Sequence, residues 1–415
     1  MTEVERLGLA RVFRAESGRI LAALLAQYHD ITMAEDALQD ACVAASEQWV
    51  KQGMPINPAG WLLTVARRRL IDKLRQQTRR NSQQVIEQIE ASLSAAESIA
   101  EAQQPIPDER LRLLFTCCHP ALAESAQVAL TLKTLCGLNA REIARAFVVS
   151  ETAMNQRLTR AKRKIKHAGV AYSVPEAAAL PRRLPSVLAV IYLIYNESYS
   201  AYEGQLLTRE DLACEAIRLG TVLYKLLPRS EVAGLLALML LHHSRSAARR
   251  SATVAFIPLE QQDRALWDLQ SIAKGQSLLA NAMSMGPVDK YQIQAAISAL
   301  HVQASSWEET DWYQIQLLYQ SLYRLEPSPV VALNYAIAVA NSGQLQCALK
   351  LMDALQHELL CYQPYFAARA DLAYKLGRVQ EAIDHYDQAI AMTRNNAERD
   401  FLKKQHRRLV STHSY

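Results

Sequence analysis

Apolar residues recur at helical spacing along most of the chain, and no stretch alternates at period two for long enough to require a strand, so the pattern predicts an all-α protein. From about Val4 to His29 the repeat runs through Leu9, Phe13, Ile20, Leu24 and Leu25. Thr32 with Glu35 three residues on has the form of a capping box, opening a second helix through Asp36, Leu38, Gln39, Asp40, Val43 and Trp49. Gly53 and Pro55 interrupt the pattern between Lys51 and Asn57, and Asn57 followed by Pro58 caps and starts a third helix. There Leu63, Ala66, Leu70 and Leu74 make an inward stripe beside Trp61, Leu62, Val65 and Ile71. Ser82 to Pro107, rich in Ser, Gln, Ala and Glu, reads as a linker with at most a short amphipathic helix on Ile86, Ile89 and Leu93. Helices over Asp108 to Phe115 and Leu122 to Leu135 follow.

Leu138 to Lys166 carries two helical registers separated by a break. Asn139 and Glu142 form a capping box for a short helix with Ile143, Ala144 and Phe147 on its inner side. Val148 and Val149 are poor helix formers, and Ser150 is a good N-cap for a second helix from about Glu151 to Lys166. Met154, Leu158, Ala161 and Ile165 line one side of that helix. The opposite side carries Thr152, Asn155, Gln156, Thr159, Arg160 and Arg163, flanked by Arg157, Lys162, Lys164 and Lys166. Asn and Gln suit adenine, Arg suits guanine, and Lys and Arg neutralise phosphates, so the pattern fits a helix-turn-helix. An ordinary antiparallel helix pair with a solvated basic face is the competing reading.

Gly169, Pro175, Pro181 and Pro185 mark a second linker over 168–185, and 186–415 reads as a separate, wholly helical domain. Within it Leu333, Tyr335, Ala338, Gly343, Leu345, Ala348 and Leu349 recur 34 residues later as Ala367, Arg369, Leu372, Gly377, Val379, Ala382 and Ile383. That period, with small residues and glycines so placed, predicts two tetratricopeptide-like repeats over about 330–395. Helices around Tyr291 to Ala304 and Trp312 to Leu325 suggest a degenerate third.

Composition adds a compartment and a charge distribution. The 415 residues suffice for several domains, and half of them are hydrophobic, which excludes wholesale disorder. The first residues carry an early acidic pair and no apolar h-region, and the longest apolar runs, Leu184 to Tyr195 and Val232 to Leu241, are too short to span a bilayer. No membrane association is expected. Seven scattered cysteines imply a reducing cytoplasm. Cys117, Cys118 and His119 cluster, but only Cys136 lies near them, so buried thiols are the expectation there and no metal or other cofactor is called for.

The net charge of +5 is modest, but the basic residues concentrate at two places, Arg67 to Arg80 and Arg141 to Lys166. In the third helix Arg67, Arg68, Arg69, Lys73, Arg75, Arg79 and Arg80 make a face that suits phosphates, and the Gly/Pro loop before it suits an unstacked base. A basic surface helix without a nucleic-acid role is the alternative. The edge formed by Glu35, Asp36 and Asp40 has the opposite sign and suits a protein partner, or is simply solvated.

The stretch NPAGWLLTVARRRLIDKLRQQTRR, preceded by AEDALQDAC and followed by LNAREIARAFVVSETAMNQRLTRAKRKIK, resembles the extracytoplasmic-function class of bacterial RNA polymerase sigma factors. The resemblance divides the chain into sigma region 2 over 1–81, a linker over 82–107, and region 4 over 108–167. Farther on, VIYLIYNESYSA, DLACEAIRLG and LLALMLLHHSRSAAR resemble the long extension of one subgroup, where it has a regulatory role. It implies that Glu35, Asp36, Gln39 and Asp40 meet the clamp helices of the polymerase largest subunit. Gln52, Asn57, Trp61, Arg67, Arg68, Arg69, Lys73 and Arg75 would melt and hold the −10 element. Thr152, Asn155, Gln156, Arg157, Thr159, Arg160, Lys162, Arg163 and Lys164 would read the −35 element in the major groove. A further implied contact is with the flap of the second-largest subunit; separately, the length and repeats of the extension lead to the expectation that it docks on the sigma domains and so controls them. Three departures stand out: Arg67-Arg68 replaces the usual Arg-Asn pair, Val148 stands where Gly is common, and the recognition helix offers Asn155-Gln156.

A sigma factor that directs promoter-specific initiation, with no chemistry of its own, is thus the leading expectation. The alternative is a DNA-binding regulator with a helical sensor domain that acts without core polymerase. An enzyme built on His242, His243, Asn196 and Glu197 would lack a nucleophile-base pair, a phosphate loop and metal spacing.

Overall fold

A computed structural model describes residues 3–28, 30–78, 107–147, 149–170, 172–176, 178–200, 207–249, 257–393 and 396–413. The 82–107 linker except Pro107, together with Arg79, Arg80 and Val148, lies outside them. Every regular element among the described residues is helical. The chain divides into two compact units, residues 1–197 and 198–415.

In the first unit, α1 (Glu3–Tyr28), α2 (Ile31–Gln52) and α3 (Pro58–Thr78) pack on one another. Ile20, Leu21, Leu24 and Leu25 of α1 are buried with Leu62, Ala66, Leu70 and Ile71 of α3 and a row of alanines, Ala34, Ala37, Ala41 and Ala45, on α2. Alanines at spacings of three and four let neighbouring backbones approach closely. The start of α2 differs from the sequence expectation. Asp30, not Thr32, is the N-cap, its Oδ1 accepting from the Thr32 and Met33 amides at 3.0 and 3.1 Å. A carboxylate already at the helix entrance satisfies those donors, which leaves Glu35 free for another partner.

The chain continues through α4 (Pro107–Cys117), α5 (Glu124–Thr134), α6 (Ala140–Ala146) and α7 (Glu151–His167). α1 also packs against α4 and α5. Gly18 makes this approach close: a Cβ there would stand 2.3 Å from the Leu135 carbonyl oxygen. Cys117 and Cys118 are buried in the helix packing, with Sγ atoms 3.2 and 3.8 Å from the hydroxyls of Thr134 and Thr131. Burial is the first cause that pushes the Cys118 thiol up, to about 12.

The expected open stretch over 168–185 is shorter than its prolines suggested, because α8 (Leu180–Ser200) begins inside it. Pro181 falls in the first turn, where its missing donor has no partner to lose, and Pro185 sacrifices one helical hydrogen bond without ending the helix. Arg183 Nη2 donates to the Phe115 carbonyl at 2.7 Å, so the start of α8 packs with the first unit. Tyr172, between α7 and α8, donates its hydroxyl to the carbonyls of Ala22 and Glu109 at 3.1 and 2.9 Å.

The second unit holds α9 (Leu207–Leu226), α10 (Ser230–His243), α11 (Leu269–Ser284), α12 (Lys290–Gln303), α13 (Trp312–Leu325), α14 (Pro329–Asn341), α15 (Leu345–Ala354), α16 (Gln363–Lys375), α17 (Val379–Met392) and α18 (Asn396–His413). The pairs α14/α15 and α16/α17 start 34 residues apart, 329 to 363 and 345 to 379. Their turns place Gly343 and Gly377 at φ of 91° and 74°, backbone that a side chain would strain. α13 keeps the same spacing to within a residue, but α12 begins five residues early because Asp289 and Gln292 form a capping box. His242, at the end of α10, is half-buried, and desolvation followed by the nearby Arg245, Arg249 and His301 holds its imidazole pKa well below the usual histidine value.

Candidate nucleic-acid interface

The helix-turn-helix follows the local rules its sequence obeys. Glu142 accepts from the Asn139 amide at 2.8 Å while Asn139 Oδ1 accepts from the Glu142 amide at 2.9 Å, a complete capping box at the start of α6. Ser150 caps α7 by accepting from the Ala153 amide. Met154, Leu158, Ala161 and Ile165 are buried against α5 and α6. Thr152, Asn155, Gln156, Thr159, Arg160, Arg163 and Lys164 are all exposed on the other side. α7 is 17 residues long, about 25 Å, and presents this row along a rod that suits a major groove about 12 Å wide.

The row is partly preorganised. Arg160 Nη2 donates to Gln156 Oε1 at 3.2 Å, which occupies the amide's acceptor and leaves its nitrogen as the donor. Thr159 is tied back to the Asn155 carbonyl at 2.8 Å. Arg157 lies over the Phe147 ring, 5.4 Å from its centroid, and so braces α7 on the turn before it.

The second basic surface is more divided than its sequence implied. Arg68 and Arg69 are exposed. Arg67 is half-buried beside Tyr28; burial lowers the guanidinium pKa and Tyr28 partly restores it. Trp61 packs edge-on against Trp49, ring centroids 5.3 Å apart, and Phe13 stands 5.8 Å from Trp49 on another side. Asn57 Oδ1 caps α3 by accepting from the Gly60 amide at 2.9 Å, and Gln52 accepts from Gln48. The loop between them exposes Met54 and Ile56, the latter completely. Arg75 is partly exposed at the described end of the row.

The acidic edge of α2 is not a plain solvated face. Asp36 and Gln39 are exposed, but Asp40 pairs with Lys73 of α3 at 2.8 Å. Glu35 pairs with Lys162 of α7 at 2.7 Å, both side chains largely enclosed. Asp30 pairs with Lys166 at 2.8 Å. Burial alone would raise the Asp30 carboxyl; the Lys166 hydrogen bond and the Met33 and Thr32 amides outweigh it and hold the group below the usual carboxylate range. Residues that the sequence places on three separate surfaces therefore meet within one unit. Sequence reasoning missed Asp30, Gly18 and Tyr172. Gly18, inside a strong helical repeat, was the one readable signal, since such a glycine marks a close backbone approach.

Comparison with known proteins finds family matches along the chain. Residues 12–80 match Sigma-70 region 2, residues 112–165 match Sigma-70, region 4, and residues 183–283 match a family of unknown function, DUF6596. The chain is 42% identical over 409 residues to an uncharacterized protein of Rhizobium meliloti (strain 1021), covering 98% of this chain and 96% of that relative.

Proposed function

Because the chain belongs to the sigma-70 family, as an extracytoplasmic-function-like sigma factor with a C-terminal extension, we propose that it binds core RNA polymerase and directs initiation at its own promoters. The observation that carries this reading is the pairing in one unit of an exposed groove-reading row on α7 with a second basic helix, α3, behind an exposed loop. An operator-binding regulator has use for the first but not for the second.

In this reading α7 positions the molecule on the −35 duplex through Thr152, Asn155, Gln156, Arg157, Thr159, Arg160, Lys162, Arg163 and Lys164. Gln52, Asn57, Trp61, Arg67, Arg68, Arg69, Lys73 and Arg75 act at the −10 element. Unstacking costs a few kcal/mol per base, and capture of a flipped base with phosphate contacts offsets it. The structure supports unequal roles within this second group. Arg68 and Arg69 are placed for phosphates, whereas Trp61 and Arg67 hold the helix that carries them. Glu35, Asp36, Gln39 and Asp40 bind the clamp helices of the largest subunit, and the flap of the second-largest meets the region 4 side. The chain works in the cytoplasm, where polymerase is.

The extension, with tetratricopeptide-like helix pairs at α14/α15 and α16/α17, regulates the sigma domains. The test is reconstitution of the full chain with core polymerase on a promoter mapped from transcript starts after overproduction. Co-elution and permanganate reactivity of unpaired thymines are expected; absence of both overturns the reading. For the extension, the cut belongs after Glu197 rather than after Lys166, because Tyr172 and Arg183 pack into the first unit. Removing 198–415 is expected to change promoter-dependent transcription in one direction or the other, and identical output and regulation would exclude a regulatory role.

A further inference from the structure

A cluster of basic and aromatic side chains in the second unit belongs to neither DNA-facing surface. It lies where three segments meet: the end of α10 and the turn after it, with His242, Arg245 and Arg249; the short helical turn Arg264–Leu266 leading to Trp267; and the end of α12, with His301. Ala248, Trp267 and Ile272 form one buried cluster with Val302 packed against it, which brings the three segments together. The Asp268 amide donates to the Ser244 carbonyl at 2.9 Å and ties the first segment to the second. Arg264 Nη1 donates to the carbonyls of His301 and Ala304 at 2.7 and 2.6 Å and ties the second to the third.

Those two bonds use one nitrogen of Arg264. The guanidinium lies over the Trp267 ring, 4.6 Å from its centroid, and its Nη2 is enclosed without a hydrogen-bond partner. Trp267 Nε1 and His301 Nδ1 are enclosed and unpartnered in the same way, and Trp267 as a whole is only 6% exposed. Three such atoms in one cluster are unusual, because each has lost water without regaining a bond.

Positive charge gathers at the same place. Arg245, itself buried, acts on Arg264, His301 and His242. Burial first, and then Arg245 and Arg264, push the His301 imidazole down to about 3, so the ring is neutral at physiological pH. The carboxylate that reaches Arg264 is that of Glu308, which is exposed. Enclosing cations beside one another costs free energy that a bound anion returns.

We propose that Arg264, Trp267 and His301, together with Arg245, form a binding site for an oxyanion, the phosphoryl or carboxylate group of a small metabolite. Arg264 Nη2 and Trp267 Nε1 donate to its oxygens, and Nδ1 of the neutral His301 donates or accepts according to its tautomer. Arg264 and His301 are partly exposed and give a small ligand its way in, whereas a duplex backbone does not reach atoms so enclosed. The site concerns the second unit alone and stands whether or not the chain serves polymerase.

Hydrogen exchange of the full chain tests this without any substitution. The probes are inorganic phosphate and acetate, each compared with chloride at the same ionic strength. A probe at about ten times its Kd is expected to slow exchange through local opening by roughly ten-fold over 242–249, 264–268 and 300–304, while α6 and α7 stay unchanged. Protection by phosphate alone assigns a phosphoryl ligand, and protection by acetate alone a carboxylate. Protection by both assigns a site for either group. Unchanged exchange with both probes means that water satisfies the enclosed atoms, and the site falls; protection confined to α3 and α7 overturns it as well.

Two variants add an affinity readout. Arg264→Lys keeps the charge but not the second nitrogen, and His301→Phe keeps a ring against Trp312, 5.3 Å between centroids, without Nδ1. Calorimetric titration of either variant with the protecting probe is expected to show binding weakened about ten-fold or more. Full affinity in both variants overturns the site, and should a variant fail to fold, the exchange result on the native chain decides.

Discussion

Gly18→Ala is expected to destabilise the first unit by about 2 kcal/mol, although the same change in an unconstrained helix interior stabilises by about 1 kcal/mol. The sign is decided by what the new methyl meets. Its ideal position is 2.3 Å from the Leu135 carbonyl oxygen and 3.0 Å from the Leu135 Cα and carbonyl carbon, all backbone atoms. A flexible side chain could swing aside; this backbone cannot move cheaply. Leu135 is bonded to the Thr131 carbonyl at 2.9 Å, and just beyond it Gly137 turns the chain at φ 67° while Leu138 bonds back to Leu132. α1 and the α5–α6 connection must therefore separate. Calorimetry of the full chain should show the transition of this unit lowered by roughly 4–8 °C, with hydrogen exchange rising in α5 and α6. Gly18→Val, which is bulkier and β-branched, should cost more. A midpoint that holds or rises would mean that α1 and Leu135 do not touch in solution.

The parts of the fold that depend on local rules were readable from the chain. The α7 stripe of Met154, Leu158, Ala161 and Ile165 is buried as its spacing required, and the Asn139–Glu142 box and the Ser150 cap are formed. Near neighbours supply the physics there, and near neighbours are what periodicity records. The α2 entrance was misread because Thr32 and Glu35 have capping-box spacing while Asp30 stands two residues earlier, and spacing alone does not rank two competing acceptors. The α8 start was misread because prolines mark breaks on average, yet in the first turn of a helix they cost little. Pairing across long sequence distance was not readable at all. Nothing local to Glu35 points to a residue 127 positions away, so its surface looked like an edge awaiting a partner when part of it is already occupied by Lys162.

The candidate site divides along the same line. The α7 row needed only a helix and a buried opposite face, and it is exposed as the pattern implied. Trp61, Arg67, Asn57 and Lys73 belong to a surface where composition suggested one task, phosphate and base contact, but packing assigns each a partner in the fold. Composition counts cations and aromatics; it cannot say which of them the fold has already used.

On the proposed −35 duplex, Asn155→Ala and Gln156→Ala are each expected to weaken binding by about 1–3 kcal/mol at the preferred sequence, roughly 5- to 150-fold, while non-specific affinity stays the same. A neutral amide that bonds a base edge releases no counterions, so the salt slope should not move. Arg163→Ala and Lys164→Ala should behave in the opposite way, lowering affinity across all sequences and reducing the slope by about 0.9 each. Arg160→Ala tests the link between these classes. Because Arg160 holds Gln156 Oε1, its loss should free the Gln156 amide to turn over and should relax sequence preference as well as removing a charge. Binding titrations of the full chain at several salt concentrations, on the mapped −35 duplex and on a scrambled one, separate the three outcomes. If Asn155→Ala and Gln156→Ala depress both duplexes equally, the exposed row of α7 is an electrostatic surface without base readout, and promoter choice must be carried by another part of the chain.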